Sequence, residues 1–120
     1  MQTVLLVDDQ ADIRQLIRLT LGSAHEVLEA SDGVTALHIA RDRRPRVVVL
    51  DIMMPGEMDG LKVLEEIRAD VNLKDTHVIM VTARGQAHDY DAGMSRGAHA
   101  YFIKPFSPIA LVNAIKDLLK

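Results

Sequence analysis

The sequence predicts an α/β fold, an open, doubly wound sheet of five parallel strands with helices on both faces. Three observations lead there. Short apolar runs alternate with helix-length segments of amphipathic spacing along the whole chain, the pattern of consecutive βα units. The run at 47–50 is too continuously apolar for a half-exposed strand and needs cover on both faces. The runs also end on polar residues: Asp8 and Asp9 after 4–7, Asp51 after 47–50, Thr82 after 78–81 and Lys104 after 100–103. Right-handed crossovers bring all of those ends to one edge of a sheet.

The first run, 4–7, is β1, and Ile13, Leu16, Ile17, Thr20 and Leu21 recur after it at helical spacing as α1. A weaker strand, β2, covers 25–30, after which Ser31-Asp32-Gly33 supplies a turn and a cap for α2 with Val34, Leu37 and Ala40. The polar stretch 41–46, with Pro45 in it, breaks that helix. β3 is the run at 47–50, ending on Asp51. A loop over 53–60 leads into α3, whose stripe is Leu61, Val63, Leu64 and Ile67, and β4 follows at 78–81. The helix expected between Thr82 and Ala100, α4, is the weakest, because it holds Gly85, Gly93 and Gly97 and mostly small apolar side chains. β5 is 100–103. Ser107-Pro108 starts α5 with an N-cap hydroxyl and a proline at the first helical position. The α5 stripe is Leu111, Val112, Ala114, Ile115, Leu118 and Leu119, which leaves Ile109 off the core side. Five such units at this length favour the flavodoxin-like strand order 2-1-3-4-5. Its switch point lies between β1 and β3, the strands that bear Asp8, Asp9 and Asp51.

With 120 residues the chain is long enough for one domain with a real core and too short for two, so a single domain is expected over 1–120. An aromatic share of 3% withdraws the stacking platforms of a single-strand nucleic-acid binder, and a net charge of -3 leaves no basic footprint. No direct nucleic-acid binding by this segment is expected. The absence of cysteine excludes disulfide frameworks, thiolate metal sites and cysteine nucleophiles. The apolar run near the N-terminus is far short of a membrane span of about 20 residues and has no basic n-region, so a cytoplasmic protein without membrane attachment is expected. His25, His38, His77, His88 and His99 share no ligand spacing and read as surface or strand-end residues. Arg41, Arg43, Arg44 and Arg46 read as a solvated helix end, and Met53, Met54 and Met58 as loop packing.

Singly, the polar strand ends have ordinary readings: Asp9 as the N-cap of α1, Thr82 as a β-branched strand end, Lys104 as a solvated turn residue. Asp51 is harder to dismiss, since a carboxylate closing a buried central strand needs a charged partner or a ligand. Three carboxylates, a hydroxyl and an ammonium at one edge suit a magnesium ion and a phosphoryl group. The first needs hard anionic oxygens and the second needs donors.

On Val7-Asp8-Asp9, Asp51-Ile52-Met53-Met54-Pro55-Gly56, Met58-Asp59-Gly60, Thr82-Ala83 and Tyr101-Phe102-Ile103-Lys104-Pro105-Phe106, the chain resembles the receiver domains of two-component response regulators, over essentially its whole length. The resemblance implies that Asp51 is the phosphoacceptor, charged by a histidine kinase or a histidine phosphotransfer protein. It implies that Asp8, Asp9, Asp51 and the backbone carbonyl of Met53 hold Mg2+, and that Thr82 and Lys104 contact the phosphoryl group. Thr82 and Tyr101 would be the switch pair, and Met53 and Arg84 would tune water access. An α4-β5-α5 surface that includes Ile109 would then serve an output domain or effector that the sequence does not name, in a monomer or a phosphorylation-dependent dimer. The chain would be a signalling phosphoacceptor rather than an enzyme, with only autocatalytic phosphorylation and dephosphorylation. Glu57 adds one residue between Gly56 and Met58 relative to the commoner family spacing, which predicts a bulge in that loop.

The alternative is a receiver-like interaction module that works without phosphorylation, disfavoured by the complete set of Asp8, Asp9, Asp51, Thr82 and Lys104. A nucleotide or flavin binder would want a glycine-rich loop after β1, and an aspartate-nucleophile phosphatase a second acid where Met53 stands. Like charges about 4 Å apart at an effective dielectric near 20 repel by roughly 4 kcal/mol. That crowding predicts that Asp8→Ala or Asp9→Ala raises thermal stability without metal.

Overall fold

The computed structural model describes residues 2–83 and 94–120. Five strands, β1 (Thr3–Val7), β2 (Glu26–Ala30), β3 (Val47–Asp51), β4 (His77–Ala83) and β5 (Ala100–Lys104), form one parallel sheet in the order β2-β1-β3-β4-β5. Four of the five expected helices lie among the described residues: α1 (Ala11–Leu21), α2 (Gly33–Arg43), α3 (Gly60–Ala69) and α5 (Pro108–Leu118). Most of the segment expected to form α4, residues 84–93 with Arg84 and His88, lies outside them. A short 3-10 turn at Val71–Leu73 links α3 to β4. No described helix is long and apolar enough to cross a membrane.

The alternation of side chains along a strand divides the core in two. Leu5, Val7, Val48, Leu50, Val78 and Met80 face α2 and α3, whereas Val4, Leu6, Val49, Ile79 and Val81 face α1 and α5. β3 is buried at all five positions, which is why its sequence is apolar without interruption up to Asp51. Both outer strands are only partly covered: β2 carries Glu26 and Glu29 among its apolar residues, and β5 leaves Ile103 half exposed.

β4 and β5 outrun their apolar cores. β4 begins at His77 and continues through Thr82 to Ala83, and β5 includes Lys104, because the register carries on through the pairs Thr82 with Ile103 and Ala83 with Lys104. Thr82 and Lys104 are therefore held by the ladder itself and are not the first residues of loops.

Helix starts follow the expected chemistry at three of four places. Asp32, Asp59 and Ser107 accept from the backbone N–H of Thr35, Lys62 and Ala110, at 2.8, 2.9 and 3.2 Å. α1 departs from it. Its N-cap is Gln10, which makes no side-chain cap, and Asp9 does not serve as one. The arginines at the end of α2 are exposed, as expected of a solvated helix end, and make surface ion pairs there: Arg41 with Glu66 and Asp70 and Arg43 with Glu26, while Arg44 ends the helix in a left-handed conformation.

Two glycines pin the loop that follows β3. A Cβ on Gly60 would lie 2.2 Å from the carbonyl oxygen of Asp51, and one on Gly33 would lie 2.3 Å from that of Met58. Only glycine lets the start of α3 press against the end of β3 and the start of α2 against the loop. Within that loop Met54 and Met58 pack on the core, but Met53 is 59% exposed, so the loop-packing expectation holds for two of the three methionines.

Candidate functional site

At the C-terminal ends of the strands the chain reverses around Asp8, Asp51, Thr82 and Lys104. β1 and β3 are adjacent and in register, so the last residue of β3 and the first residue beyond β1 become neighbours. Asp8, Asp9 and Asp51 each offer a carboxylate oxygen within 4.8 Å of the others. Asp8 and Asp51 are buried, at 5% and 3% exposure, and Asp9 is open to solvent.

Lys104 reaches in from β5. Its Nζ lies 2.9 Å from Asp8 Oδ2, 3.4 Å from Asp51 Oδ2 and 3.1 Å from Gln10 Oε1, to which it donates. Asp8 Oδ1 accepts from the backbone N–H of Gln10 at 2.9 Å, and Asp51 Oδ1 accepts from that of Met53 at 3.3 Å. Apolar lining below Asp51 comes from Leu6, Val49, Val81 and Phe106. Burial on that lining pushes the Asp51 carboxyl up to about 6, the Asp8 charge adds to the push, and Lys104 and the Met53 N–H only partly offset them. Burial alone would pull the Lys104 ammonium down, but its bonds to Asp8 and Asp51 outweigh that and raise it. Lys104 is thus a fixed cation across the relevant pH range. Removing Asp8 would take away one of its partners along with the like charge, so relief of crowding belongs to Asp51 rather than to Asp8.

Thr82 approaches from the other side. It shares its strand parity with Met80, on the α2 and α3 side, while Asp51 shares that of Val49 and Lys104 that of Phe102, on the α1 and α5 side. Its Oγ1 is buried and has no hydrogen-bond partner among the described residues. A buried hydroxyl left unsatisfied costs free energy comparable to a lost hydrogen bond, which such a group recovers when an acceptor arrives. Asp9 likewise makes no side-chain hydrogen bond or ion pair among the described residues. Three hard carboxylate oxygens, one of them unengaged, fit a divalent cation such as Mg2+, and the waiting hydroxyl together with Lys104 fits an anionic oxygen beside it.

Every described residue singled out in the sequence for the ion and the phosphoryl group comes to this edge. Tyr101 stands further back on β5, opposite Met80 and half-buried against the α3-side core. Arg84 lies outside the described residues. Ile109 is 67% exposed at the start of α5, off the core as its spacing predicts. Two residues of the site were not found from the sequence, Gln10 and Arg14, whose roles are side-chain contacts made across the fold. Gly60 belongs to the Met58-Asp59-Gly60 motif, but its contact with the Asp51 carbonyl needs the fold.

Comparisons with known proteins agree with this fold. The family model described as the response regulator receiver domain matches residues 4–116. The "Probable transcriptional regulator ycf27" of Guillardia theta is 42% identical over 99% of this chain and 46% of its own length. The phosphate regulon transcriptional regulatory protein PhoB of Pseudomonas aeruginosa is 38% identical over 99% of this chain and 52% of its own. Among solved structures, the chemotaxis protein CheY4 of Vibrio cholerae superposes with a TM-score of 0.87 at 33% identity, over 98% of both chains. The chain spans about half the length of the curated relatives it matches.

Proposed function

Because the chain belongs to the response-regulator receiver domain family of two-component systems, we propose that it takes a phosphoryl group from a histidine kinase or a histidine phosphotransfer protein onto Asp51. The observation that carries this reading is the convergence of Asp51 with Asp8 and Asp9 within 4.8 Å, under an ion pair to Lys104. In the step itself an Asp51 carboxylate oxygen attacks phosphorus, the N–P bond to the donor imidazole breaks, and the imidazole leaves with a proton. The product is an acyl phosphate, reactive enough for the signal to be reversible. Asp51 must be ionised to attack, and with its carboxyl near 6 it is mostly ionised at neutral pH.

Asp8, Asp9, Asp51 and the Met53 carbonyl would hold Mg2+, which when bound supplies the positive charge that lets a phosphoryl group approach these carboxylates. Lys104 transfers its donation from Asp51 to a phosphoryl oxygen, and the Thr82 hydroxyl acquires in another such oxygen the acceptor it lacks among the described residues. Movement of Thr82 toward the phosphoryl group withdraws it from the α3-side core, where Tyr101 can follow. The switch is a shift between two packings, read out on the surface around β5 and α5 with Ile109. Met53 and Arg84 would set how readily water reaches the acyl phosphate. In this reading the chain is a signalling phosphoacceptor and not a turnover enzyme.

The test is an intact-mass measurement after mixing with a small-molecule phosphodonor. A single phosphoryl adduct in wild type with Mg2+, absent in Asp51→Asn and absent with chelator, supports the reading. Equal labelling in all three, or none in wild type with several donors, overturns it in favour of an interaction module that works without phosphorylation.

A further inference from the structure

We infer that Arg14 is a positioning residue for the acidic side of the site, fixing the Asp8–Asp9 peptide and with it the backbone position from which the Asp9 carboxylate reaches the ion. The inference rests on reading Asp8, Asp9 and Asp51 as a divalent-cation site. Arg14 lies in α1 with its side chain only 16% exposed, lining the same hollow as Asp8 and Asp51. Its Nη1 donates to the backbone carbonyl of Asp8, and its Nε donates to Glu29 Oε1 at 2.8 Å. Glu29, near the end of β2, is clamped in turn. Its Oε2 accepts from Arg18 Nε at 2.9 Å and Nη2 at 2.7 Å, and Arg18 Nη2 also donates to the Val27 carbonyl at 3.0 Å. Burial pushes the Glu29 carboxyl up, but the two guanidinium groups more than offset it and keep the group charged.

The position of that carbonyl gives the contact its consequence. The ladder of β1 ends at Val7, and α1 begins at Ala11 without a side-chain cap, so residues 8–10 belong to neither element. Asp8 is anchored at its N–H by the Ala30 carbonyl and at its carboxylate by Gln10 and Lys104. Its carbonyl is anchored by Arg14. Because a peptide unit is planar, the Asp8 carbonyl and the Asp9 N–H turn together. Asp9 has no side-chain bond of its own among the described residues, so its carboxylate is placed through the backbone, by the position that plane gives its Cα. Groups that orient metal-facing residues in this way are worth about 10–100-fold in metal affinity.

Electrostatics alone makes the opposite prediction, which renders the inference testable. Removing a cation from beside an acidic cluster should tighten Mg2+ binding, whereas loss of positioning should weaken it. The experiment is a Mg2+ titration of the 120-residue chain without phosphodonor, followed by amide chemical shifts, on wild type, Arg14→Met, Glu29→Ala and Arg18→Ala. The expected result is that Arg14→Met binds Mg2+ about tenfold more weakly than wild type. Glu29→Ala, which frees the guanidinium from its anchor, should be weakened less, and Arg18→Ala, which does not touch Asp8, should stay near wild type. Should Arg14→Met fail to fold, Glu29→Ala is compared with Glu29→Gln, which loses the same charge but keeps an oxygen acceptor for Arg14 Nε, and the Ala variant is expected to bind more weakly of the two. Unchanged or tighter binding in the folded Arg14 variant, or equal binding in the two Glu29 variants where they decide, overturns the positioning role alone. No saturable shifts near Asp8, Asp9 and Asp51 in wild type would overturn the cation site itself and the inference with it.

Discussion

Asp51 is held in the less comfortable of its two protonation states at neutral pH, and this has a measurable price. Its carboxyl is moved from 3.8 to about 6 by burial first and by Asp8 second. Below 3.8 it is protonated in both the folded and the unfolded chain and costs nothing. As pH rises from there through 6, the unfolded chain releases its proton first, so folding loses up to about 3 kcal/mol. Asp51→Asn is therefore expected to raise stability by about 1–3 kcal/mol at pH 7 in chelator, a gain that shrinks toward pH 4, read from denaturant midpoints. Asp8→Ala should give no comparable gain, since it also leaves Lys104 with one acidic partner fewer. Residue types at strand ends made the site's acids, hydroxyl and ammonium legible in the sequence. Their pairing was not legible, because whether Lys104 chooses Asp8, Asp51 or solvent depends on side chains 53 residues or more away along the chain.

Elements carry constraints that a single position does not display. The end of β3 and the start of α3 are in contact through Gly60, where any side chain would run into the Asp51 carbonyl. Gly60→Ala is expected to destabilise the fold by about 1–3 kcal/mol, as overpacking does, and to displace the Asp51 backbone, visible as shifted amide resonances around residues 51–53. At the opposite ends of β4 and β5, His77 and His99 meet edge to face with His77 Nδ1 and His99 Nε2 3.0 Å apart. The backbone N–H of Val78 points at His99 Nδ1, which makes His99 Nε2 the donor to His77 when both rings are neutral. Burial lowers both imidazoles, with Arg46 and Arg68 near His77 and with His77 and Arg68 near His99 adding to it. The unfolded chain takes up these protons first as pH falls below about 6.5, so this contribution to stability is present above that pH and lost below it. In an Asp51→Asn background, which removes the opposing acid slope, His99→Gln is expected to flatten the loss of stability between pH 7 and pH 5. The histidines were expected at the surface or at strand ends, and these two are at strand ends. Their contact needs the β4–β5 pairing and could not be read from spacing.

At the scale of the whole molecule, the site is assembled from both sides of the sheet. Asp51 and Lys104 belong to the parity of the α1 and α5 side and Thr82 to that of the α2 and α3 side, so a phosphoryl group on Asp51 would draw on both halves of the core at once. Thr82→Ala is accordingly expected to leave phosphoryl acceptance by Asp51 in place while uncoupling it from Tyr101. The test is adduct mass beside the Tyr101 ring resonances with and without donor; an unchanged Tyr101 response would count against the coupling. Strand order and the clustering of the site at one sheet edge were legible throughout, because apolar runs and their polar ends repeat with the period of a βα unit. The lengths of β4 and β5 were not, since β4 runs on through the polar Thr82 and β5 through Lys104, which pairing keeps in the ladder. The central claim is that Asp51 alone accepts the phosphoryl group and needs a divalent cation to do so. Its most direct test is to phosphorylate the chain with a small-molecule donor, trap the acyl phosphate by borohydride reduction, and map the label by tandem mass spectrometry. The account predicts the mark at Asp51 and none when the cation is chelated, whereas a mark at Asp8, at Asp9 or on a histidine, or labelling that ignores the cation, would contradict it.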